Sequence, residues 1–407
     1  MTKEKQHGGG LDDRDLCRVF SDAQAKMRRK IPTAVPATAR APARSHLSPG
    51  FSFSMQLGLV WVVAIALLVF HPDYAGSQRL PHGRVERLSP LMDEVIPPDA
   101  QVEVVASGFH WVEGPVWVPG AEGSEGFVLF SDVIGNTMHR FDPSTNRTTV
   151  HMHPSGAVGL DVLEPGSNGI GYAGKGQLVV CDHGNRRLYR VAAAGHGARV
   201  PLATHFEGKR LNSPNDLVIR AGGDIYFTDP SYGLVPKNLV PPDGERAASR
   251  ELSFNGVYRI RAGSPPGAEP ELLISSMQRP NGLGLSPDGR KLYVSNSNQS
   301  NPHWMVFQLN AEGALVPNSA RQLADATTLY QPGMVGNPDG LKVDSDGRIF
   351  ATGPGGVHVF NADGARLGLI HTGVKTGNVA LAQDGYLYIA CDSQLARVKT
   401  HSKPLIP

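Results

Sequence analysis

The chain has 407 residues, 40% hydrophobic and 19% charged, with 47 Gly, 32 Pro and a net charge of +2. This balance is ordinary for a globular protein and excludes a basic nucleic-acid surface. Three cysteines, Cys17, Cys181 and Cys391, exclude a disulfide framework and a thiolate metal site, and Cys181 and Cys391 read as packed free thiols.

Residues 1–50 are polar, carry ten Lys/Arg against five Asp/Glu, and lack apolar periodicity. They are expected to be a disordered basic leader. Residues 51–70 contain no charge and are long enough to span a bilayer. With Arg28, Arg29, Lys30, Arg40 and Arg44 before them, they predict a signal-anchor or a signal peptide, or an ordinary signal peptide if translation starts at Met55. The expected localisation is secreted or membrane-anchored, with the rest of the chain on the lumenal or extracellular side. Membrane contact is confined to 51–70. The sequons at Asn146 and Asn298 are compatible with export.

Residues 71–100 read as a linker, 101–400 as the folded domain and 401–407 as a tail. Gln101–Ala106 alternates as a strand should and is expected to pair near Leu395–Val398. From there one phrase recurs six times: a polar residue, a short strand, a turn, then a second strand. Its first strands begin at Glu113, Asn168, Asn215, Asn281, Asp339 and Asn378. Its second strands begin at Phe127, Gln177, Asp224, Lys291, Ile349 and Tyr386. Third strands follow, such as Thr137–Phe141 and Gly256–Ile260. Tyr232 to Asn255 interrupts the pattern and reads as a lid or an insertion.

An all-strand repeat of this period predicts an all-β fold, a six-bladed β-propeller. The innermost strand of each blade lines the central channel. Six polar residues in one register then converge on one channel mouth: Glu113, Asn168, Asn215, Asn281, Asp339 and Asn378. Each alone is an ordinary turn former. Together they supply only oxygen donors of the hard kind. Glu113 and Asp339 balance a divalent charge, and Asn215 and Asn281 add neutral oxygens. This suits one divalent cation, calcium first, with magnesium or manganese as alternatives and zinc disfavoured by the lack of His and Cys. Asn168 is placed to hydrogen-bond substrate hydroxyls. His183 and Tyr232 fall on loops that line a pocket, although His183 reads equally as a structural histidine. For Asn378, closing the ring and forming a turn are both open.

The sequence resembles the SMP-30/gluconolactonase/LRE family, nearest its microbial gluconolactonase-like branch. The likeness rests on Glu113-Gly-Pro-Val-Trp117, Cys181-Asp-His-Gly-Asn-Arg-Arg187, Gly208-Lys-Arg-Leu-Asn-Ser-Pro-Asn-Asp-Leu217, Thr228-Asp-Pro-Ser-Tyr-Gly233, Arg279-Pro-Asn-Gly-Leu-Gly-Leu-Ser-Pro-Asp-Gly289 and Ala351-Thr-Gly-Pro-Gly-Gly356. It covers roughly residues 100–400. It implies a metal-dependent lactonase, with a divalent cation on Glu113, Asn215, Asn281 and Asp339, Asp339 as general base, and a small-molecule lactone as substrate. Asn337 and Asn296 depart from the family pattern and bear on substrate preference. Aryl ester or phosphotriester hydrolysis at the same metal, and a non-catalytic interaction propeller, are the alternatives. The sequence has no Gly-x-Ser-x-Gly elbow for serine chemistry.

Overall fold

The computed structural model describes residues 78–79, 83–120, 125–237 and 249–405. The expectations for residues 1–50, for the apolar stretch 51–70 and for the centre of the 234–255 loop lie outside the described residues. Among the described residues, no helix is long and apolar enough to cross a membrane.

Six antiparallel sheets of four or five strands follow one another along the chain, with a two-stranded ribbon, His205–Phe206 with Lys209–Arg210, between the second and third. Their innermost strands are Val112–Val118, Ser167–Tyr172, Leu217–Ile219, Pro280–Leu285, Leu341–Val343 and Thr376–Leu381. Each contacts the innermost strand of the next sheet, and the sixth contacts the first, so they close around a central channel. The fold is the six-bladed propeller expected. Its apolar side chains form six clusters, each between two neighbouring blades. A twisted four-stranded sheet has two faces to bury, and stacking around an axis covers both.

Closure uses the N-terminal side of the domain. Val102–Ser107 pairs with Gln394–Lys399 and becomes the fourth strand of blade 6, with Leu395 opposite Ala106 and Gln78–Arg79 along its outer side. Joining the two chain ends removes a pair of unpaired sheet edges. Arg84–Arg87 adds a fifth strand to blade 5, along Arg366–His371. The 3₁₀ turn Pro90–Glu94 then buries Met92, and Val95 and Ile96 follow it into the core between blades 5 and 6. Residues within the expected linker are therefore part of the packed domain. Cys181 and Cys391 are free thiols packed in inter-blade cores.

In blades 1 to 4, turns near the site are tied by the residue ending the second strand. Asp132 accepts the amides of His110, Trp111 and Gly135. Asp182 accepts Asn185 N–H, and Asp229 accepts Asn212 N–H at 2.7 Å. In blade 4 the corresponding Asn296 accepts Arg279 N–H at 2.8 Å, so this departure from an acid leaves the turn bond in place.

Candidate active site

The start of the innermost strand is irregular in four of the six blades. The ladder slips between Glu113 and Val116, between Ser167 and Ile170, between Pro280 and Leu283, and between Thr376 and Asn378. Such bulges re-aim side chains. Successive blades are then stitched at this level. Ser131 Oγ donates to Asn168 O, Gly169 N–H to Asn215 O, and Thr228 Oγ1 to Asn281 O. Gly282 N–H donates to Asp339 O and Gly340 N–H to Gly377 O.

These bonds define the register, and they correct one expectation. Glu113, Asn168, Asn215, Asn281 and Asp339 occupy equivalent positions. The sixth position belongs to Gly377, because Thr376 pairs with Cys391 as Ser167 pairs with Asp182. Asn378 lies one residue further along, level with Gly114, Gly169, Asp216, Gly282 and Gly340. A side chain at 377 would collide with the site, since a Cβ there would stand 2.5 Å from Glu113 Oε1.

Four of the five mouth side chains are withdrawn from water, and Asp339 is half-buried with its Oδ1 enclosed. Glu113, Asn168, Asn215 and Asn281 are at most 5% exposed. Glu113 is pushed up to about 8, by burial first, with the charges of Asp216 and Glu164 adding to it. Asp339 is also raised well above the carboxylate range, by burial and then by Glu113, Asp216 and Glu164. Two carboxylates that share a dry site resist ionising together. Asp339 Oδ1 and Asn168 Oδ1 are buried with no hydrogen-bond partner. Buried acceptors are normally paired. These two therefore mark the point toward which the mouth is built.

His183 is fully buried behind the mouth. Its Nε2 lies 3.2 Å from Asn168 Nδ2 and 3.5 Å from Asn215 Nδ2, and its Nδ1 lies 3.1 Å from Glu164 Oε2. It therefore touches the amide groups of two mouth residues. Tyr232, in the turn Tyr232–Leu234, is reached by the side chains of Ser297 and Asn281 and lies under the Arg279 guanidinium at 5.4 Å. Its phenol is pushed up to about 12, by burial and then by Asp339. All the candidate site residues thus gather at one end of the channel. Glu164, Asp216, Arg279 and Lys342 also belong to this neighbourhood and were not foreseen. For Asp216 the signal was available, as it directly follows Asn215 where four other blades have Gly. Glu164 sits in an irregular loop and left no pattern to read.

Among the described residues, no group of three or more His, Cys, Asp or Glu is placed to hold a metal. The mouth instead mixes two carboxylates with three carboxamides, a set that hard, oxygen-seeking cations accept.

The fold and this mouth define a class: a six-bladed propeller with an acidic, amide-lined pocket at one end of its axis. The family described as SMP-30/Gluconolactonase/LRE-like region matches residues 111–397. A gluconolactonase of Zymomonas mobilis is 37% identical over 326 residues, 78% of this chain and 86% of that protein. A pentonolactonase of Haloferax volcanii is 24% identical over 270 residues, covering 65% and 75%. The solved structure of a gluconolactonase from Xanthomonas campestris superposes with a TM-score of 0.66 at 28% identity, covering 81% of this chain and 99% of that one. The chain belongs to the SMP-30/gluconolactonase/LRE-like family. It is a hydrolase of the lactonase type, acting on carboxylic ester bonds.

Proposed function

We propose that the channel mouth opens a sugar-type lactone, the substrate kind that names the Zymomonas and Haloferax relatives, with one divalent cation held by Glu113, Asn215, Asn281 and Asp339. Calcium is the cation that suits an all-oxygen set best. The observation that carries this reading is the pair of partnerless buried acceptors, Asp339 Oδ1 and Asn168 Oδ1, set among carboxyl groups that burial and mutual repulsion make harder to ionise when nothing positive lies between them. When bound, the cation would supply Lewis-acid polarisation of an ester carbonyl.

The chain's own residues supply the rest. Asp339 accepts a proton from the attacking water as the water oxygen adds to the carbonyl carbon. The ring C–O bond then breaks, and that proton passes to the leaving alkoxide, giving an open hydroxy acid. Asn168 Oδ1 accepts a hydrogen bond from a substrate hydroxyl. Tyr232 walls the site beside Asp339 and helps exclude water. His183 orients the amides of Asn168 and Asn215. The uncharged stretch 51–70 supports export of the propeller by a cleaved or anchoring signal. Recovery of the full-length chain from the cytosol would overturn that part.

The test is a panel of aldonolactones, aryl esters and phosphotriesters, run with calcium and with excess chelator. Hydrolysis of aldonolactones that falls at least ~10²-fold on metal removal is expected, the loss typical of one removed oxyanion stabiliser. Full-rate turnover by metal-free protein would overturn the cation, and turnover of only the other two classes would overturn the lactone.

A further inference from the structure

One level below the mouth, four blades present glycine and two present a side chain. Those two, Asp216 of blade 3 and Asn378 of blade 6, meet across the axis. Asn378 Nδ2 donates to Asp216 Oδ2 at 3.1 Å. Lys342, in the innermost strand of blade 5, completes the layer. Its Nζ donates to Asp216 Oδ2 at 3.1 Å, to Asn378 Oδ1 at 3.2 Å and to Leu341 O at 3.0 Å. Asp216 Oδ1 is taken by Leu217 N–H at 2.8 Å. Both oxygens of Asp216 are thus committed to this layer. Beyond it the channel opens into a cavity of about 290 Å³, mostly apolar, to which Lys342, Val116, Leu217, Leu285, Val343 and Leu381 contribute.

We infer that Lys342 is a positioning residue that cancels the charge of Asp216, so that the mouth above offers a cation two carboxylates rather than three. The inference rests on the reading of the mouth as a cation site. Asp216 is buried and directly follows Asn215 of the mouth, so its charge is felt there. In a dry channel a unit charge of either sign acts over several ångströms. With Lys342 in place, Asp216 and its ammonium partner sum to neutrality, which leaves Glu113 and Asp339 of the mouth to balance one divalent ion. Without it, Asp216 becomes an anionic ligand that strengthens cation binding and draws the ion down the axis, away from Asp339.

The experiment measures calcium affinity by titration calorimetry, with kcat, for the full chain and three variants. Lys342→Met should bind calcium roughly tenfold more tightly and turn over more slowly, by the size of one unit charge at an intermediate dielectric. Asp216→Asn, which keeps the shape, should bind roughly tenfold more weakly, because the ammonium is then uncompensated. The double variant should return to within about threefold of the parent, the signature of a pair that acts as a unit. A mere brace predicts weaker binding in all three, and that pattern overturns the inference, as do single variants with unchanged affinity. If Lys342→Met does not fold, the Asp216→Asn and double variants still separate the two outcomes. A parent protein that binds no calcium would overturn the reading of the mouth itself, whereas a parent that binds with indifferent variants overturns only the role of Lys342.

Discussion

Two layers of the channel, one residue apart along the same six blades, have opposite characters. The upper layer, Glu113, Asn168, Asn215, Asn281, Asp339 and Gly377, carries side chains on five blades and leaves oxygen atoms without partners. The lower layer, Gly114, Gly169, Asp216, Gly282, Gly340 and Asn378, carries side chains on two, and the hydrogen bonds of Asp216, Asn378 and Lys342 close on one another. The difference follows from space. At Gly114 the backbone is left-handed, φ +52°, and a Cβ would stand 2.1 Å from Asn168 O. Where strands converge this closely, only glycine lets neighbouring blades touch. The upper layer keeps acceptors open, and the lower layer closes its own hydrogen bonds beneath them.

The largest expected effect lies in the upper layer. Asp339→Asn keeps an oxygen near the proposed ion but cannot take up the proton from water. Its kcat should fall by at least ~10²-fold, the weight of a lost general base, while calcium still binds in calorimetry. Equal losses of binding and turnover would instead make Asp339 a ligand without a base role.

Next is Gly377→Ala, the one blade where the upper layer is empty. Its Cβ would press on Glu113 Oε1. Calcium affinity should weaken roughly tenfold, with a melting temperature close to the parent's, because a carboxylate end can move where backbone cannot. Gly340→Ala tests the lower layer, since its Cβ would fall 2.0 Å from Asn378 Cγ. It should cost ~1–3 kcal/mol of stability, as overpacking does, read as a lower denaturation midpoint.

The smallest effect is the pH dependence of the metal-free protein. Glu113 in the fold binds its proton more tightly than in the unfolded chain, at about 8 against an ordinary 4.5, with burial as the main cause. Asp339 is shifted the same way. Stability from these protonated groups is complete below the ordinary carboxylate range and is lost as pH rises toward about 8. The melting temperature should therefore fall across that window without metal. Calcium should flatten the fall. A metal-free protein whose melting temperature rises through the window would contradict the arrangement described.

The repeat was legible because strand alternation and turn glycines are local. The register of its last copy was nearly so. Asn378 precedes Tyr386 by eight residues, whereas Asn168 precedes Gln177 and Asn215 precedes Asp224 by nine. Counting from Gly377 restores nine, but an Asn in a phrase that elsewhere starts with Asn concealed the shift. Arg84–Arg87 and Met92 were read as linker because a single added edge strand has no repeat to belong to.

By itself the sequence determined six strand-turn-strand units, their order around an axis, and the five polar residues that end at one mouth, because period and turn chemistry are written within each unit. Only the tertiary structure decided that Gly377 rather than Asn378 completes that level, that Asp216, Asn378 and Lys342 form the layer beneath it, and that Glu164 stands behind His183. Those relations join residues as far apart as Asp216 and Asn378, and what sets them is the space left where six blades meet, which no single blade contains.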